Sequence, residues 1–409
     1  MSKPQSSIGR RLAEAADKAD DLTRFRKEFV FGEEGVIYLN GNSLGRLSKR
    51  SQKALSKAID EEWGTGLVRS WGTGWLSLPG NLGTKIAALI GAQPDEVLVA
   101  DSTSINLFKL ASAALKLRER KVIWTDSQNF PSDLYVLSGL AEVRVAQNIS
   151  ELLANIGDDT ALVALTHTNY LSGEVHEMGA ITEAVHKAGA FMLWDLSHSV
   201  GVMPLHLNTY HVDFAVGCTY KYLNGGPGAP AFLFVRQQLM THLENPIRGW
   251  FGHEHPFRFS PEYEPASGIS RFLTGTPPVL SMAALEPALD LIAEAGLEKL
   301  RKKAFLLTEY LITLLIERVA KYDVTILSPR DGQKRGAHVA VSHPAAWKIA
   351  QALKDQGVIP DFREPDILRF GLAPIYTSFL DVYDAVVCLE TILAGGMQNN
   401  YSDNRVGVT

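Results

Sequence analysis

Cysteine, long apolar runs and an excess of basic charge are all scarce in this chain of 409 residues. Its two cysteines, Cys218 and Cys388, are too few for a disulfide framework and fit a reducing cytosol. No apolar run approaches the roughly 18 residues that a membrane-spanning helix needs, and the opening segment lacks the apolar stretch of a secretory signal. A net charge of −5 disfavours nucleic acid as a partner, because such proteins usually present a basic face. We therefore expect a cytoplasmic protein with no membrane or nucleic-acid partner.

Short apolar strand candidates alternate with helical patterns between about residues 85 and 235. The candidates are VLVA (97–100), KVIWTD (121–126), ALVALTH (161–167), AFMLWD (190–195) and DFAVGC (213–218). Nearly continuous apolar strands separated by helices predict an α/β fold, with a mostly parallel sheet covered by helices on both faces. Ligands bind beyond the carboxyl ends of such strands, where Asp126, His167, Asp195 and Cys218 stand.

The pattern changes after about residue 285, where a long helical stretch precedes further strand candidates. This change predicts a smaller α+β domain over 286–409, after a large domain over 61–285. We expect residues 1–60 to pack with the smaller domain. The repeated WGTG within 63–75 is interpreted as a tryptophan-rich loop.

Serine and threonine cluster in DSTSIN (101–106), where one predicted strand passes into a helix. Hydroxyls and free N–H groups at a helix start can bind an anion such as phosphate, although N-capping alone also explains these residue types. Neither a GxxxxGK[ST] loop nor a GxGxxG fingerprint is present, so the common nucleotide-binding loops are excluded.

Asp195 and Lys221 follow two successive strands. A buried carboxylate needs a cationic partner, and a protonated pyridine nitrogen is one, although a helix N-cap is an equal alternative for Asp195. An amine in an apolar setting loses its proton more easily and can then form a Schiff base with an aldehyde. Taken alone, Lys221 is more simply a surface lysine. The glycine-rich loop after it, within GCTYKYLNGGPGAP (217–230), lets backbone pass close to a ligand.

Taken together, these segments would supply the parts of one cofactor site. The helix start, the FPSD segment (130–133), Asp195 and Lys221 would supply a phosphate site, a ring-facing aromatic, a partner for a ring nitrogen and an aldehyde-capturing amine. In a parallel α/β sheet this combination predicts an enzyme that uses pyridoxal 5′-phosphate.

Nine segments along nearly the whole chain carry a family resemblance: YLNGNSLG (38–45), EEWGTGLVRSW (61–71), STSINLFK (102–109), NFPSDLY (129–135), WDLSHSVG (194–201), GCTYKYLNGGPG (217–228), GWFGH (249–253), GTPP (275–278) and LRFGLAPIYTSF (368–379). In these segments the sequence resembles the kynureninase family, within the fold-type-I pyridoxal phosphate superfamily. TYKYLNGGPG and GWFGH are specific to this family, whereas Asp-x-x-His followed by Lys is shared across the superfamily.

The resemblance implies a role for each matching residue. Lys221 would carry the cofactor covalently, Asp195 would pair with its pyridine nitrogen and Phe130 would stack on its ring. The residues implied to hold or flank the phosphate are Thr103, Ser104, Tyr220, Trp250 and Thr276, the last from the other subunit of a homodimer. Further cofactor contacts are implied for Asp133, Thr166 and His198. Arg369 would clamp the substrate α-carboxylate, Asn42 and Ser43 would lie near the substrate, and no metal is expected.

The implied reaction is the hydrolytic cleavage of the Cβ–Cγ bond of L-kynurenine to anthranilate and L-alanine, in tryptophan degradation or NAD biosynthesis. Lys221 would act as the base, and Tyr220 as a proton carrier in later steps. In the family, preference for 3-hydroxykynurenine goes with a histidine in the tryptophan-rich loop and an asparagine in the proline-pair loop. Here these loops contain WGTGLVRSW and GTPP, with neither residue, so kynurenine is expected to be preferred.

Four other interpretations fit the sequence less well. GNSLG (41–45) satisfies the G-x-S-x-G motif of serine hydrolases but follows the first strand, with no HGGG-type segment before it. A cysteine desulfurase needs a reactive cysteine on a mobile loop, which neither cysteine matches, and usually stacks a histidine where this chain has Phe130. An aminotransferase is possible on the cofactor residues alone, but GWFGH and the Arg369 segment argue against it. A non-enzymatic cofactor carrier would need neither Arg369 nor Asn42.

Overall fold

The structure is a computed structural model that describes residues 9–32 and 35–405. The first eight residues, on which part of the signal-peptide prediction rests, lie outside the described residues, as do 33–34 and 406–409. Within the described ranges, no helix is long and apolar enough to cross a membrane.

Two sheets and one short strand pair organise the residues that the structure describes. The strands are β1 (Ile37–Tyr38), β2 (Val97–Val99), β3 (Val122–Asp126), β4 (Val143–Ala146), β5 (Thr160–Thr166), β6 (Phe191–Asp195), β7 (Phe214–Gly217), β8 (Phe232–Val235), β9 (Thr325–Ile326), β10 (His338–Ser342), β11 (Val358–Ile359), β12 (Asp361–Arg363) and β13 (Ile367–Gly371). The larger sheet has the order β2-β8-β7-β6-β5-β3-β4. Of these seven strands, β8 runs in the opposite direction to the other six, so the predicted mostly parallel sheet is confirmed.

The α-helices are α1 (Arg10–Ala19), α2 (Lys49–Lys57), α3 (Leu78–Ile90), α4 (Thr103–Lys116), α5 (Pro131–Ser138), α6 (Ile149–Asn155), α7 (Met178–Lys187), α8 (Gln237–Met240), α9 (Val279–Ala295), α10 (Leu297–Arg318), α11 (Ala346–Asp355) and α12 (Phe379–Gly395). Both faces of the larger sheet are covered. Alternate residues of β6, such as Met192 and Leu193, belong to two different buried clusters. Burial on both sides explains why these strands are apolar at nearly every position.

A smaller antiparallel sheet with the order β12-β13-β10-β9 lies beside α10, α11 and α12 in a third buried cluster. The beginning of the chain contacts this part, because β1 pairs with β11 and α1 packs on α12. The domain boundaries at residues 60 and 285 stay predictions. The predicted helical stretch is confirmed as two helices, α9 and α10, which meet at Gly296, whose φ of 81° ends α9. One local expectation is wrong, because the tryptophan-rich segment forms helical turns over Ala58–Gly66 and Trp71–Trp75 rather than a loop.

Candidate active site

A cavity of about 220 Å³ opens at the carboxyl ends of β5, β6 and β7, beside the start of α4. Its lining residues are Ser102, Thr103, Ser104, Phe130, Ser132, Asp133, Thr166, Tyr170, Asp195, Ser197, His198, Tyr220 and Lys221. Nine of the residues nominated from the sequence therefore meet in one place: Thr103, Ser104, Phe130, Asp133, Thr166, Asp195, His198, Tyr220 and Lys221. The parallel sheet brings them together, because consecutive strands end at the same edge.

The segment around Lys221 is held by close backbone packing against the GNSLG segment. The amide of Gly45 donates to the carbonyl of Tyr220 over 2.8 Å. A Cβ built at Gly45 would lie 2.3 Å from the carbonyl oxygen of Lys221, so only glycine allows this approach. The amine of Lys221 lies 5.9 Å from the ring centre of Phe130 and 5.8 Å from that of Tyr220.

Two buried carboxylates, Asp133 and Asp195, face the same cavity. Burial raises the pKa of Asp195, against the opposing effects of a hydrogen bond from the Ser197 amide (2.8 Å) and the charge of Lys221. Burial also raises the pKa of Asp133, and the nearby charge of Asp195 raises it further. The two carboxylates thus lie where a cation inside the cavity would be strongly favoured.

His198 contacts both Lys221 and the N-terminal segment. Its Nε2 atom lies 3.3 Å from Nζ of Lys221 and 3.1 Å from the carbonyl oxygen of Asn42. Burial, followed by the charge of Lys221, holds the pKa of His198 well below its usual range, so the ring is neutral. One ring nitrogen cannot donate to a carbonyl and accept from an amine together, so the two contacts belong to different tautomers.

The start of α4 is anchored by a buried ion pair. Ser102 caps the helix by accepting from the amide of Ile105 over 3.4 Å, and Thr103 and Ser104 follow in its first turn. Just before the cap, Asp101 pairs with Lys109 over 2.5 Å, although the Lys109 side chain is fully buried. The free N–H groups of a helix start favour an anion such as phosphate at this side of the cavity.

Arg369, Asn42 and Ser43 lie beside the cavity rather than in its lining. Arg369 is almost fully buried, which lowers its pKa to about 10, and it is ion-paired to Asp361. Its Nη2 atom also donates to the hydroxyl of Ser43 over 3.3 Å. The side-chain amide of Asn42 is fully buried, and neither its Nδ2 nor its Oδ1 atom has a hydrogen-bond partner among the residues that the structure describes.

Trp250 and Thr276 do not line this cavity within the chain. Trp250 is part of an aromatic cluster with Phe251, Phe257 and Phe259, and Thr276 is exposed in the proline-pair loop. Their assignment to the phosphate stays a prediction, and for Thr276 it requires a second subunit.

Comparisons with known proteins give a consistent result. The family model described as the kynureninase C-terminal domain matches residues 300–389. A kynureninase of Pseudomonas fluorescens is 47% identical over 392 residues, which cover 93% of this chain and 94% of that protein. A kynureninase of Burkholderia pseudomallei (strain K96243) is 44% identical over 397 residues, covering 94% and 95%. The chain belongs to the kynureninase family.

Solved structures share the fold at lower identity. A mutant of C-DES with glycine covalently linked to the PLP cofactor has a TM-score of 0.80 and 18% identity, over 89% of this chain and 98% of that one. The apo structure of a cysteine desulfurase from Thermococcus onnurineus NA1 has a TM-score of 0.77 and 19% identity, over 97% and 100%. Such identities speak for the fold alone, which is that of fold-type-I PLP enzymes.

The geometry also bears on the alternatives to the kynureninase family. Ser43 follows β1, which pairs only with β11 among the described strands, so it is not on the central sheet as a hydrolase elbow would be. Cys218 is buried at the end of β7, and burial raises the pKa of its thiol, which is unsuited to a nucleophile on a mobile loop.

Sequence reasoning missed four residues that line the cavity: Ser102, Ser132, Tyr170 and Ser197. Three of them lie inside the motifs DSTSIN, FPSD and WDLSHSVG and could have been predicted together with their neighbours. Tyr170 had no such signal. It lies in the loop after β5, and its ring meets that of Phe130 edge to face at 5.1 Å.

Proposed function

We propose that this chain is a kynureninase, which hydrolyses the Cβ–Cγ bond of L-kynurenine to anthranilate and L-alanine with pyridoxal 5′-phosphate as cofactor. The observation that carries the proposal is the meeting of Lys221, Asp195 and the first turn of α4 in one cavity. Family membership over nearly the full chain supports the same reaction.

The cavity suits this cofactor on chemical grounds. Thr103 and Ser104, at a helix start, favour its phosphate, and the amine of Lys221 matches its aldehyde. Asp133 and Asp195 are buried carboxylates with raised pKa values, and a protonated pyridine nitrogen would relieve the cost of their charge. When bound, the cofactor supplies an electron sink for bonds broken next to the substrate's amino carbon.

Four residues of the chain each have one role in the proposed reaction. Lys221 removes the proton from Cα of the substrate, and Arg369 holds the α-carboxylate so that this carbon is presented to the amine. Asp195 holds a proton on the ring nitrogen of the cofactor. Tyr220, next to Lys221, carries a proton to Cβ after the carbon–carbon bond breaks. One water molecule adds to Cγ, so its oxygen ends in anthranilate and the products together contain the atoms of kynurenine and water.

The preference for kynurenine over 3-hydroxykynurenine is part of the proposal. It is supported by the side chains that the tryptophan-rich segment and the proline-pair loop offer, which include neither the histidine nor the asparagine associated with the hydroxylated substrate. A kcat/KM for 3-hydroxykynurenine above that for kynurenine would contradict it.

We also propose a homodimer whose two active sites are completed by Thr276 of the partner subunit. The exposed positions of Trp250 and Thr276, outside the cavity of their own chain, support this arrangement. A location in the cytoplasm is supported by the two cysteines, both of which are free.

The proposal is tested with the purified protein, pyridoxal 5′-phosphate and L-kynurenine. The wild-type protein is expected to show a visible absorption band and to release fluorescent anthranilate. Lys221→Ala should lose both, whereas Lys187→Ala, which removes an exposed lysine paired with Glu183, should lose neither. A wild-type protein that has the band but releases no anthranilate would disprove the reaction and leave the cofactor in place.

A further inference from the structure

A second arginine, Arg363, lies close to Ser43 and Asp361, two residues that also contact Arg369. It is absent from the residues predicted from the sequence. It stands at the end of β12, and its Nη2 atom donates to the hydroxyl of Ser43 over 3.2 Å. Ser43 lines a neighbouring cavity together with Thr103 and Tyr220, which also line the cavity described above. Arg363 is therefore hydrogen-bonded to a lining residue of the neighbouring cavity, which shares Thr103 and Tyr220 with the main cavity.

The charge of Arg363 acts on two tyrosines that line the main cavity. Burial raises the pKa of Tyr170, and the charges of Arg369 and Arg363 oppose that rise. The pKa of Tyr220 is raised first by Cys218 and then by burial, again with Arg363 opposing. Both tyrosines line the cavity, so the guanidinium of Arg363 lies within electrostatic reach of its contents.

Arg363 and Arg369 differ in how closely each is paired with the carboxylate of Asp361. Both approach Asp361, but Arg369 is the buried partner of that carboxylate, whereas Arg363 lies 3.3 Å from it with 35% of its side chain exposed. Asp361 carries one negative charge against two guanidinium groups. The more accessible cation can therefore take an additional anion without breaking the buried pair.

The proposed reaction produces such an anion. The substrate enters with one carboxylate, on its amino-acid end. When water adds to Cγ and the Cβ–Cγ bond breaks, the bonding electron pair stays with Cβ, which then takes a proton. Cγ becomes the carbon of a carboxylic acid on the aryl product. This acid releases its proton to solvent, so a second carboxylate forms that did not exist in the substrate.

We propose that Arg363 is a second anion-binding residue of the active site, which binds the carboxylate that forms on the aryl product while Arg369 holds the α-carboxylate. This inference rests on the proposed function. It assigns Arg369 to the α-carboxylate and Arg363 to the group that develops at Cγ, separated from it by two carbons, which suits two guanidinium groups that share Ser43 and Asp361. A guanidinium that meets the charge only as it develops favours bond cleavage over substrate binding.

The test measures binding of three small molecules to the holoenzyme. Anthranilate carries the aryl carboxylate, 2-aminobenzamide is its neutral isostere, and L-alanine carries only the α-carboxylate. Arg363→Gln should weaken anthranilate binding about tenfold or more, as expected for the loss of a charged hydrogen bond. The same variant should leave 2-aminobenzamide and L-alanine within about twofold of the wild-type values, and Arg363→Lys should restore part of the anthranilate affinity.

Arg405→Gln is the matched control. Arg405 pairs with Glu364, the residue next to Arg363, and its guanidinium lies over the ring of Phe362, so its removal tests loss of a charge in the same segment. It should change none of the three affinities. Unchanged anthranilate binding in Arg363→Gln, or an equal loss for anthranilate and 2-aminobenzamide, would overturn the inference.

The outcome separates this inference from the proposed function. If the wild-type protein cleaves no kynurenine, the function fails, but the charge-dependent binding of anthranilate still decides the role of Arg363. If Arg363→Gln does not fold, as judged by its circular dichroism, the comparison is made with Arg363→Lys, whose shorter, single-point charge should bind anthranilate more weakly than the wild-type guanidinium. Wild-type affinity in that variant would then contradict a specific guanidinium contact.

Discussion

Nε2 of His198 lies 3.3 Å from Nζ of Lys221 and 3.1 Å from the carbonyl oxygen of Asn42. One ring nitrogen thus links Lys221, after β7, to the segment after β1, across two parts of the chain that are far apart in sequence. A proton moving on Lys221 changes which of these two contacts His198 can make. The hydrogen bonding of His198 therefore depends on whether Lys221 is protonated, although the imidazole ring itself stays neutral.

The first prediction concerns this neutral histidine. Because burial and Lys221 hold the pKa of His198 well below 6.5, the ring is uncharged from neutral pH upwards and protonates only in more acidic solution. His198→Gln should lower kcat/KM about 3- to 10-fold through the lost hydrogen bond but leave the shape of the pH profile near neutrality unchanged. An acidic limb near neutral pH that disappears in the variant would show that His198 titrates in the working enzyme.

The second prediction concerns the stability of the cofactor-free protein. The pKa of Asp133 is raised by burial and by Asp195, so the folded state binds a proton that the unfolded chain releases above a pKa near 3.8. Stability is therefore lost as pH rises from that value towards the raised pKa. Asp133→Asn should raise the Tm of the cofactor-free protein by about 1–4 °C at neutral pH and by less at about pH 4. Scanning calorimetry at the two pH values measures this.

The same substitution should weaken the cofactor-bound state, because Asp133 faces the cavity that we assign to the cofactor. Cofactor affinity, followed by the visible band, is expected to fall while the Tm of the free protein rises. A fall in both would mean that Asp133 is needed for folding rather than held in a strained state for function.

The third prediction concerns the ion pair before α4. Lys109→Met should lower the free energy of unfolding by about 2–4 kcal/mol, because it leaves the Asp101 carboxylate without its buried partner. Lys109 also donates to the carbonyl of Phe272 over 2.6 Å, and Thr274 donates to Asp101 over 3.3 Å, so this pair joins α4 to the segment that leads into the proline-pair loop.

A double-mutant cycle isolates that pair. Asp101 has a φ of 47°, which asparagine adopts readily, so Asp101→Asn removes the charge while keeping the backbone. The double variant should be more stable than Lys109→Met alone, with a coupling of about 1 kcal/mol or more in urea unfolding of the cofactor-free protein. Additive losses would mean that the two side chains act independently.

The sequence predicted those parts of the fold and site that follow from local pattern. Asp195 and Lys221 were found because each follows a nearly continuous apolar strand, and parallel strands bring such ends together. β4 and β8 were missed for different reasons. β4 is a partly exposed edge strand that contains Arg144, and β8 follows a loop of glycine and proline whose composition suggested no regular structure.

Residues that reach the site from distant segments were harder to predict. Arg363 lies near Tyr170 only because β12 and the loop after β5 come together in the folded chain, and no spacing in the sequence encodes that meeting. The ion pair of Lys109 was hidden for a related reason. Its helical position looks like any other lysine until tertiary packing buries it completely.

The fourth prediction concerns sites shared between subunits. If Thr276 completes the site of its partner, then Lys221→Ala and Thr276→Ala damage different halves of each active site. Each variant alone should have little activity, the first for lack of its amine and the second through weaker hold on the phosphate. When the two variants are unfolded together, mixed and refolded with cofactor, half of the dimers are mixed, and each contains one site with both residues intact. The mixture should therefore recover roughly a quarter of wild-type activity, as the two-fold symmetry of a homodimer requires.

Lys221→Ala mixed with Asp195→Asn is the control. Both residues line the cavity of one chain, so each site of a mixed dimer keeps one defect, and activity should stay at the level of the two parent variants. Recovery in the control, or none in the Thr276 mixture, would place Thr276 outside the shared site.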